Sequence, residues 1–250
     1  KAGIGIFVIV LIITAVRVKS MDSHRISGRI LAENIAGPGM LRLVEQSMQA
    51  RARKTSVTEI AVKERKHPQA ALTFDDGPDI RYTPLLLDGL KERNVRVSFF
   101  LLGEKVEQYP ELVERMQKEG HLVGNHTYHH VQLNKLNETK AREEILKTNN
   151  LIYETTGVYP LYLRPPFGAW KKNLELCVEM LPVFWTIDTL DWKVQNTEKI
   201  VRTVQEQIED GAIILMHDEY DTSVEAALQV VDELKNQEYE LVTVDQLILP

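Results

Sequence analysis

Two adjacent aspartates are the first residues along the chain whose type and setting suggest chemistry. Asp75 and Asp76 follow an apolar run and precede Gly77-Pro78, a pair that turns the backbone sharply. Because neighbouring residues on an extended strand point to opposite faces, the two carboxylates can take different tasks. One can bind a metal ion while the other accepts protons, although an exposed Asp-Gly-Pro turn without function would have the same sequence.

A histidine-rich segment, 125–130, supplies side chains that suit zinc. His126 and His130 are four residues apart, a spacing that places both imidazoles on one face of a helical turn. His126 and His129, three residues apart, form a competing pair. A histidine pair alone is more often structural, but with one carboxylate of the aspartate pair it makes a three-ligand set that leaves a coordination position open for water.

Two further polar residues follow apolar runs later in the chain. Arg164 precedes two prolines that stiffen the backbone, so its guanidinium could hold a carboxylate in a fixed orientation, unless it makes only an ordinary ion pair. His217 directly follows the apolar run 212–216, and its near-neutral pKa suits proton donation to a leaving amine when a carboxylate orients the ring. Asp191 is the predicted orienting carboxylate.

The chain from Gln69 onward has the sequence pattern of repeated βα units. Short apolar runs alternate with longer amphipathic ones, which predicts an α/β fold with a mainly parallel sheet, either a barrel or a doubly wound sheet. A proline in its first turn and a glycine after its end mark a helix over 110–119, and a capping box at Thr222 and Glu225 predicts another over 226–235. The predicted strands are 70–74, 97–101, 121–124, 161–164, 182–187, 212–216 and 240–244.

The polar residues described above fall where these strands end. In barrels of parallel strands, chemistry is concentrated at the carboxyl ends of the strands. This coincidence predicts an enzyme whose site lies at that edge of the sheet. The clusters are Asp75-Asp76 after the first strand, 126–130 after the third, Arg164 at the end of the fourth, Asp188 and Asp191 after the fifth, and His217-Asp218 after the sixth.

Length, charge and cysteine content narrow the class of protein. With 250 residues and 44% hydrophobic composition, the chain can bury one sizeable core, which predicts a single catalytic domain. The net charge of −6 argues against a nucleic-acid binder, because phosphate neutralisation needs a basic face. The single cysteine, Cys177, cannot form an intramolecular disulfide and is predicted to pack in the core.

The N-terminal quarter differs in composition from the rest. Residues 2–16 carry no charge and are fewer than the ~20 needed to span a membrane, but they are typical of the apolar region of a signal peptide. Arg17 and Lys19 follow without a small-residue cleavage site, which favours an uncleaved signal anchor over a cleaved peptide. Residues 17–68 hold 11 Lys and Arg against 5 Asp and Glu. The predicted organisation is a signal anchor or signal peptide at 1–19, a basic stem at 20–68 and a catalytic domain at 69–250.

The five polar clusters, in this order, resemble the five motifs of carbohydrate esterase family 4, the polysaccharide deacetylases that share the homology domain of the nodulation chitooligosaccharide deacetylase. The similarity spans about 71–244. It implies a distorted (β/α)7 barrel and a divalent metal, most often zinc, with cobalt or nickel as alternatives. One departure is Phe167, which stands where many members have tyrosine. Because the expected contribution there is a main-chain N–H, activity should survive the change.

Motif positions imply a role for each residue. The two neighbouring aspartates take the two different tasks that their adjacency suggested, Asp76 as a metal ligand and Asp75 as the catalytic base. His126 and His130 complete the ligand set, and His217 is the general acid. The other implied roles are Arg164 orienting Asp75, Asp191 tuning His217, Phe167 giving a backbone N–H to the oxyanion, and Trp192 with Leu215 walling the pocket for the acetyl methyl group.

These implications together predict a metal-dependent hydrolase that removes N-acetyl groups from N-acetylglucosamine units of a polysaccharide outside the cytoplasm. An exported enzyme, held in the cell membrane by its N-terminal segment or secreted, faces the wall of its own cell, which favours peptidoglycan over soluble chitooligosaccharides. The alternatives are an O-deacetylase of acetylated xylan or a similar ester, and an inactive wall-binding homologue. The complete set of predicted ligands, base and acid argues against the inactive homologue.

Overall fold

The computed structural model describes residues 66–170 and 180–248, in which strands alternate with helices. The strands are β1 Gln69–Asp75, β2 Ser98–Leu101, β3 Leu122–Asn125, β4 Tyr162–Leu163, β5 Leu181–Pro182, β6 Ile187–Asp188, β7 Ala212–His217 and β8 Glu240–Leu241. The helices are α1 Tyr82–Glu92, α2 Gly103–Gln108, α3 Pro110–Lys118, α4 Glu138–Thr156, α5 Asp191–Val194, α6 Thr197–Gln207, α7 Asp221–Asn236 and α8 Val244–Ile248. Short 3₁₀ turns occur at Leu133–Lys135 and Pro166–Gly168.

The strands of the described residues pair in parallel, and β1 lies at the centre of the sheet. The strand order is β5-β4-β3-β2-β1-β7-β6, with β8 paired to the start of β1. In this register Asp75, at the end of β1, lies opposite Phe100 of β2 and His217 at the end of β7. The carboxyl ends of neighbouring strands therefore meet at one edge, and the predicted α/β fold with a parallel sheet is confirmed.

The prediction of a single fifth strand over 182–187 is wrong, because two short strands, β5 and β6, take its place. β5 pairs with β4, whereas β6 pairs with β7 at the other edge of the sheet. Val183 N–H donates to Leu163 C=O at 2.8 Å, and Thr186 N–H donates to Ile213 C=O at 2.9 Å. The segment changes partners because it crosses from one edge of the curled sheet to the other, so the described residues contain eight strands where seven were predicted.

Side chains of β1 alternate between two layers, and this alternation positions the polar residues. The even-numbered residues of β1 pack in the larger apolar core, together with side chains of α1 and α7. Ala71 points to the other face, where it joins a smaller apolar cluster with Phe100 and Val183. Thr73 and Asp75 follow Ala71 at intervals of two residues, so their side chains share its face of the sheet.

Both helices predicted from end signals are confirmed, but only the first has the predicted end signals. The helix predicted over 110–119 is confirmed as α3, with its proline in the first turn. The capping box predicted at Thr222 and Glu225 is wrong, because α7 begins at Asp221 and Glu225 accepts a hydrogen bond from Thr197 Oγ1 at 2.9 Å instead. The Asp221 carboxylate in the first turn favours this end of the helix electrostatically, so charge replaces the predicted cap.

Three predictions concern residues outside the described part of the chain. The anchor or signal peptide at 1–19, nearly all of the basic stem at 20–68 and the packing role of Cys177 fall there and stay predictions. The start of a catalytic domain at 69 also stays a prediction. Within 66–170 and 180–248, no helix has the length and apolar character to cross a membrane.

His121, directly before β3, gives the fold a pH dependence. The side chain is buried, its ring packs edge-on against Phe99 with centroids 5.4 Å apart, and its Nδ1 accepts a hydrogen bond from Val97 N–H at 3.1 Å. Burial lowers the pKa of His121 to about 4, with two nearby arginines adding to the effect and Glu119 opposing it. The folded state therefore excludes a proton that the unfolded chain, with a histidine pKa of 6.5, binds.

We expect His121 to reduce stability progressively as the pH falls from 6.5 to about 4. In this window the unfolded state binds more protons than the folded state, so stability rises with pH. As the pH falls across this window, the free energy of unfolding falls by about 3 kcal/mol, which is the free-energy equivalent of the difference between the two pKa values. In His121→Asn, the amide oxygen can replace Nδ1 as acceptor while the titration is lost. Urea unfolding with a chelator present should show a flatter pH profile for the variant, and parallel profiles would contradict this assignment.

Candidate active site

Asp76, His126 and His130 converge just beyond the carboxyl ends of β1 and β3. Asp76 Oδ1 lies 3.3 Å from His126 Nε2 and 3.4 Å from His130 Nε2, and one ligand atom from each residue falls within 4.8 Å of the others. Ligand atoms about 2.0–2.1 Å from a tetrahedral zinc ion are separated by about 3.3–3.4 Å, so this spacing fits such an ion. Asp76 Oδ1 is also buried and has no hydrogen-bond partner among the described residues, a cost that a bound cation would relieve. These three residues, the metal-ligand cluster, therefore fit a divalent metal.

The two histidines approach each other through a tight turn and not through the helical turn predicted from their spacing. Segment 126–130 forms neither helix nor strand, and Thr127 and His130 have left-handed backbones with φ of 68° and 54°. The Asn125 side chain accepts a hydrogen bond from Thr127 N–H at 2.7 Å, which stabilises the turn. Left-handed backbone at a non-glycine residue costs on the order of 1–3 kcal/mol and is often found at functional sites, where the surrounding structure holds it.

His129, the competing ligand, has a different partner. Its Nδ1 lies 2.7 Å from Glu144 Oε1, and 58% of its side chain is exposed. The backbone N–H groups of Tyr128 and His129 also donate to the Glu144 carboxylate, at 3.0 and 2.9 Å. Glu144, on α4, thus holds the turn over 126–130 through the backbone and side chain of His129. Of the two predicted histidine pairs, the structure brings His126 and His130 together at Asp76.

Asp75 lies beside the metal-ligand cluster and is held by Arg164. Arg164 Nη1 donates to Asp75 Oδ1 at 2.8 Å, and Asp75 Oδ2 lies 3.7 Å from His126 Nε2. Both residues are buried, and burial lowers the pKa of Arg164 although the ion pair with Asp75 opposes this effect. The ion pair fixes one carboxylate oxygen and leaves the other facing the cluster, which is where a proton acceptor is needed.

His217 ends β7 and is oriented by Asp191. Its Nδ1 lies 2.8 Å from Asp191 Oδ1, and its backbone N–H donates to Asp191 Oδ2 at 2.8 Å. Burial lowers the pKa of His217, but the hydrogen bond and charge of Asp191, with the charges of Asp75 and Asp76, raise it to about 9. The other ring nitrogen, Nε2, lies 3.8 Å from Asp76 Oδ2, so the protonated ring directs its second N–H at the cluster.

Burial and neighbouring charges favour the charge states of Asp76 and His130 that metal binding requires. Burial alone would raise the pKa of Asp76, but the close approach and charge of His126, 3.3 Å away, with the charges of His130 and His217, hold it below its ordinary range. Burial lowers the pKa of His130, although Asp76 opposes this effect. An ionised carboxylate and a neutral imidazole are the forms that coordinate a metal ion.

The three predicted pocket residues lie around these groups. Phe167 is 63% exposed, and its ring centroid lies 4.5 Å from that of His130. Trp192 follows Asp191 on α5 and is 48% exposed, whereas Leu215 is buried on β7. The structure therefore places Phe167 against His130, and it places Trp192 on α5 with Asp191 and Leu215 on β7 with His217.

Two buried polar residues at the site were given no role from the sequence. Thr73 accepts a hydrogen bond from Arg164 Nη1 at 2.6 Å, and the two-residue period of β1 was a signal that could have placed it beside Asp75. Asp218, directly after β7, accepts a hydrogen bond from Thr83 Oγ1, and burial raises its pKa to about 7. Thr83 lies on α1, far away in sequence, so no local pattern predicts this second contact.

Relatives with known names match most of the described residues. The family model for polysaccharide deacetylase matches residues 62–183. The chain is 41% identical over 185 residues to the peptidoglycan-N-acetylglucosamine deacetylase PgdA of Listeria monocytogenes, a match that covers 74% of this chain and 40% of that protein. It is 39% identical over 186 residues to a peptidoglycan-N-acetylglucosamine deacetylase of Bacillus cereus, covering 72% of this chain and 68% of that protein.

A solved structure shows that the likeness extends to the fold. The peptidoglycan deacetylase PdaC of Bacillus subtilis matches with a TM-score of 0.71 and 41% sequence identity, covering 73% of this chain and 91% of the solved chain. The Bacillus cereus relative is 39% identical to this chain over more than two thirds of its own length. This chain also has the five motifs, and the structure brings their side chains together. The chain therefore belongs to the polysaccharide deacetylase family.

Proposed function

We propose that this chain is a metal-dependent hydrolase that removes N-acetyl groups from N-acetylglucosamine units of a polysaccharide, with peptidoglycan as its main substrate. The observation that carries the proposal is the convergence of three metal-ligand side chains, a carboxylate held by arginine and a histidine held by carboxylate. The names of the Listeria and Bacillus relatives, which are peptidoglycan deacetylases, support the choice of substrate.

The metal-ligand cluster is proposed to hold zinc. Two imidazoles and one carboxylate, with a position left for water, form a ligand set of catalytic zinc sites. Cobalt and nickel accept the same nitrogen and oxygen donors and are the alternatives. When bound by Asp76, His126 and His130, such a cation supplies Lewis acidity, which activates water and polarises the acetamide carbonyl.

Asp75 is proposed to accept the proton of the attacking water. Arg164 holds its Oδ1, so Oδ2 is the oxygen that faces the cluster and takes the proton as the water oxygen bonds to the carbonyl carbon. The carbonyl π bond opens at the same time, and its electron pair moves onto the oxygen. The backbone N–H of Phe167 is proposed to stabilise that negative charge by donating a hydrogen bond to it.

His217 is proposed to protonate the departing nitrogen. The nitrogen of the tetrahedral intermediate is a poor leaving group until it is protonated, and a positioned acid supplies the proton that lets it depart as a neutral amine. Asp191 holds Nδ1, and its hydrogen bond and charge favour the protonated ring, which carries the Nε2 proton. Collapse of the tetrahedral carbon re-forms the C=O bond, breaks the C–N bond and releases the amino sugar and acetic acid, which loses its proton to solvent as acetate. The proton on Asp75 passes to solvent, and solvent reprotonates His217.

We further propose that the chain works outside the cytoplasm, attached to the cell membrane through residues 1–19 or released after their cleavage. The support is the uncharged run 2–16 followed by basic residues. The basic stem at 20–68 would be attracted to anionic lipid or wall polymer, and high salt should weaken that attraction.

The substrate proposal predicts which acetylated polymers release acetate. The zinc-loaded protein is expected to release acetate and expose equivalent free amines on peptidoglycan and on N-acetylchitooligosaccharide. Acetylxylan is the matched ester substrate, and chelator-treated protein is the control. Acetate from acetylxylan alone would replace the proposal with an O-deacetylase, and bound zinc without turnover on any polymer would indicate the inactive homologue. If only the soluble oligosaccharide reacts, the peptidoglycan assignment fails while N-deacetylation stands.

A further inference from the structure

Thr73 has the contacts of a residue that positions others. It is fully buried on β1, two residues before Asp75 and on the same face of the sheet. Its Oγ1 accepts a hydrogen bond from Arg164 Nη1 at 2.6 Å and donates one to Ile214 C=O at 2.7 Å. The roles cannot be exchanged, because a guanidinium only donates and a carbonyl only accepts. The hydroxyl is therefore locked in one orientation between Arg164 and β7.

Arg164 depends on this hydroxyl for its orientation. Both hydrogens of Nη1 are used, one by Thr73 at 2.6 Å and the other by Asp75 at 2.8 Å. The contacts of the other guanidinium nitrogens are longer, with Nε 3.5 Å from Val183 O and Nη2 3.5 Å from Phe184 O. Both short hydrogen bonds are therefore donated by Nη1. Loss of the one to Thr73 would leave the direction of the one to Asp75 less well defined.

Two aromatic rings lie near the Arg164 guanidinium, but they do not fix its rotation within its own plane. The Arg164 Cζ lies 4.2 Å from the centre of the Phe100 ring and 5.8 Å from that of Trp185. Contact with a ring face attracts the cation but tolerates rotation of the guanidinium in its own plane. Hydrogen bonds in that plane are therefore needed to set which nitrogen faces Asp75.

We propose that Thr73 is a positioning residue for deacetylation: its hydroxyl fixes Arg164 so that Arg164 holds Asp75 Oδ1 and leaves Oδ2 facing the metal-ligand cluster. The inference rests on the proposed function of Asp75 as the base. It adds a link from β7, which carries His217, through Thr73 and Arg164 to the base on β1. The Thr73 hydroxyl is bonded to Arg164 and Ile214 and to none of the three candidate metal ligands, so its effect should appear in the chemical step.

The test compares Thr73→Val, which keeps the shape and removes the hydroxyl, with Thr73→Ser, which keeps the hydroxyl. On N-acetylchitooligosaccharide, Thr73→Val is expected to lower kcat about 10- to 100-fold, the range for loss of a hydrogen bond to a buried charged group. KM and zinc affinity should stay within about twofold of wild type, because Thr73 is fully buried and its hydroxyl bonds to Arg164 and Ile214, not to a candidate metal ligand. Thr73→Ser should recover kcat to within about threefold of wild type.

Each outcome of the comparison decides the proposal. Unchanged kcat in Thr73→Val, with an active wild type, would overturn the positioning role and leave the proposed function intact. An equal loss of kcat, zinc affinity and thermal stability in both variants would indicate a structural role and would also overturn it. A wild type without activity on any polymer would overturn the proposed function first. Should Thr73→Val fail to fold, Thr73→Ala provides the same loss of the hydroxyl without the added methyl group, and the same criteria apply.

Discussion

Asp75→Asn is expected to abolish turnover while the protein still binds zinc. Asparagine has the shape of aspartate but cannot accept the proton of the attacking water, and general-base catalysis contributes about 10²- to 10⁴-fold to a rate. Asp75 is not part of the cluster formed by Asp76, His126 and His130, and its nearest approach to those imidazoles is 3.7 Å. Metal affinity should therefore change much less than kcat.

The same substitution should also reduce stability, for a separate reason. It removes the negative partner of Arg164, which is fully buried, and removal of one member of a buried ion pair costs on the order of 3–5 kcal/mol. The amide oxygen can still accept the Arg164 hydrogen bond, which keeps the local geometry. The assay should therefore be run well below the melting temperature, with the folded fraction measured alongside.

The measurement pairs acetate release with the zinc content of the purified protein. Asp88→Asn is the matched control, because that carboxylate is exposed on α1 and pairs with Arg115 on the surface. It should keep both activity and zinc. Comparable kcat in wild type and Asp75→Asn would remove Asp75 as the base, and loss of zinc from Asp75→Asn would make it a ligand.

Asp76→Asn is expected to abolish zinc binding and turnover together. Asp76 Oδ1 is the atom that lies within 3.4 Å of both imidazoles, so its loss as an anionic ligand leaves only the two histidines. Partners that merely orient a ligand are worth about 10–100-fold in metal affinity, so loss of a direct ligand should exceed about 100-fold. Asparagine tolerates the left-handed backbone of this position, where φ is 67°, so the fold should persist.

Thermal unfolding gives a measure of zinc binding that does not depend on activity. Zinc at about 100 times its Kd stabilises a protein by about 2.7 kcal/mol, which for a domain of this size is about 5–10 °C in Tm. Wild type and Asp75→Asn should show this rise on addition of zinc, and Asp76→Asn should not. A full zinc-dependent rise in Asp76→Asn would place the metal elsewhere.

His129→Gln is the control that separates the two histidine pairings. His129 belongs to the same turn but pairs with Glu144, so its substitution should leave the zinc-dependent rise in Tm and the activity unchanged. Loss of both in His129→Gln would favour the pairing of His126 with His129 that spacing alone left open.

Much of the fold follows from local sequence pattern. The apolar runs predicted the parallel strands, and the polar residues after them marked the edge where the site forms. The split between β5 and β6 did not follow, because the run 182–187 has no residue that marks a break. Its two halves differ only in their partners, β4 and β7, and strand partnership depends on the curvature of the whole sheet.

The sequence by itself determined which side chains have useful chemistry and which strand ends carry them, because side-chain type and the two-residue period of a strand are local properties. Only the tertiary structure decided that His130 and not His129 joins His126, through a left-handed turn that spacing does not reveal. It also decided that Thr73 contacts Arg164 and Ile214, residues 91 and 141 positions away. Such contacts depend on the register of β1 with β7 and on the return of β4 to the same sheet, and register between distant strands is set by the packing of the complete domain.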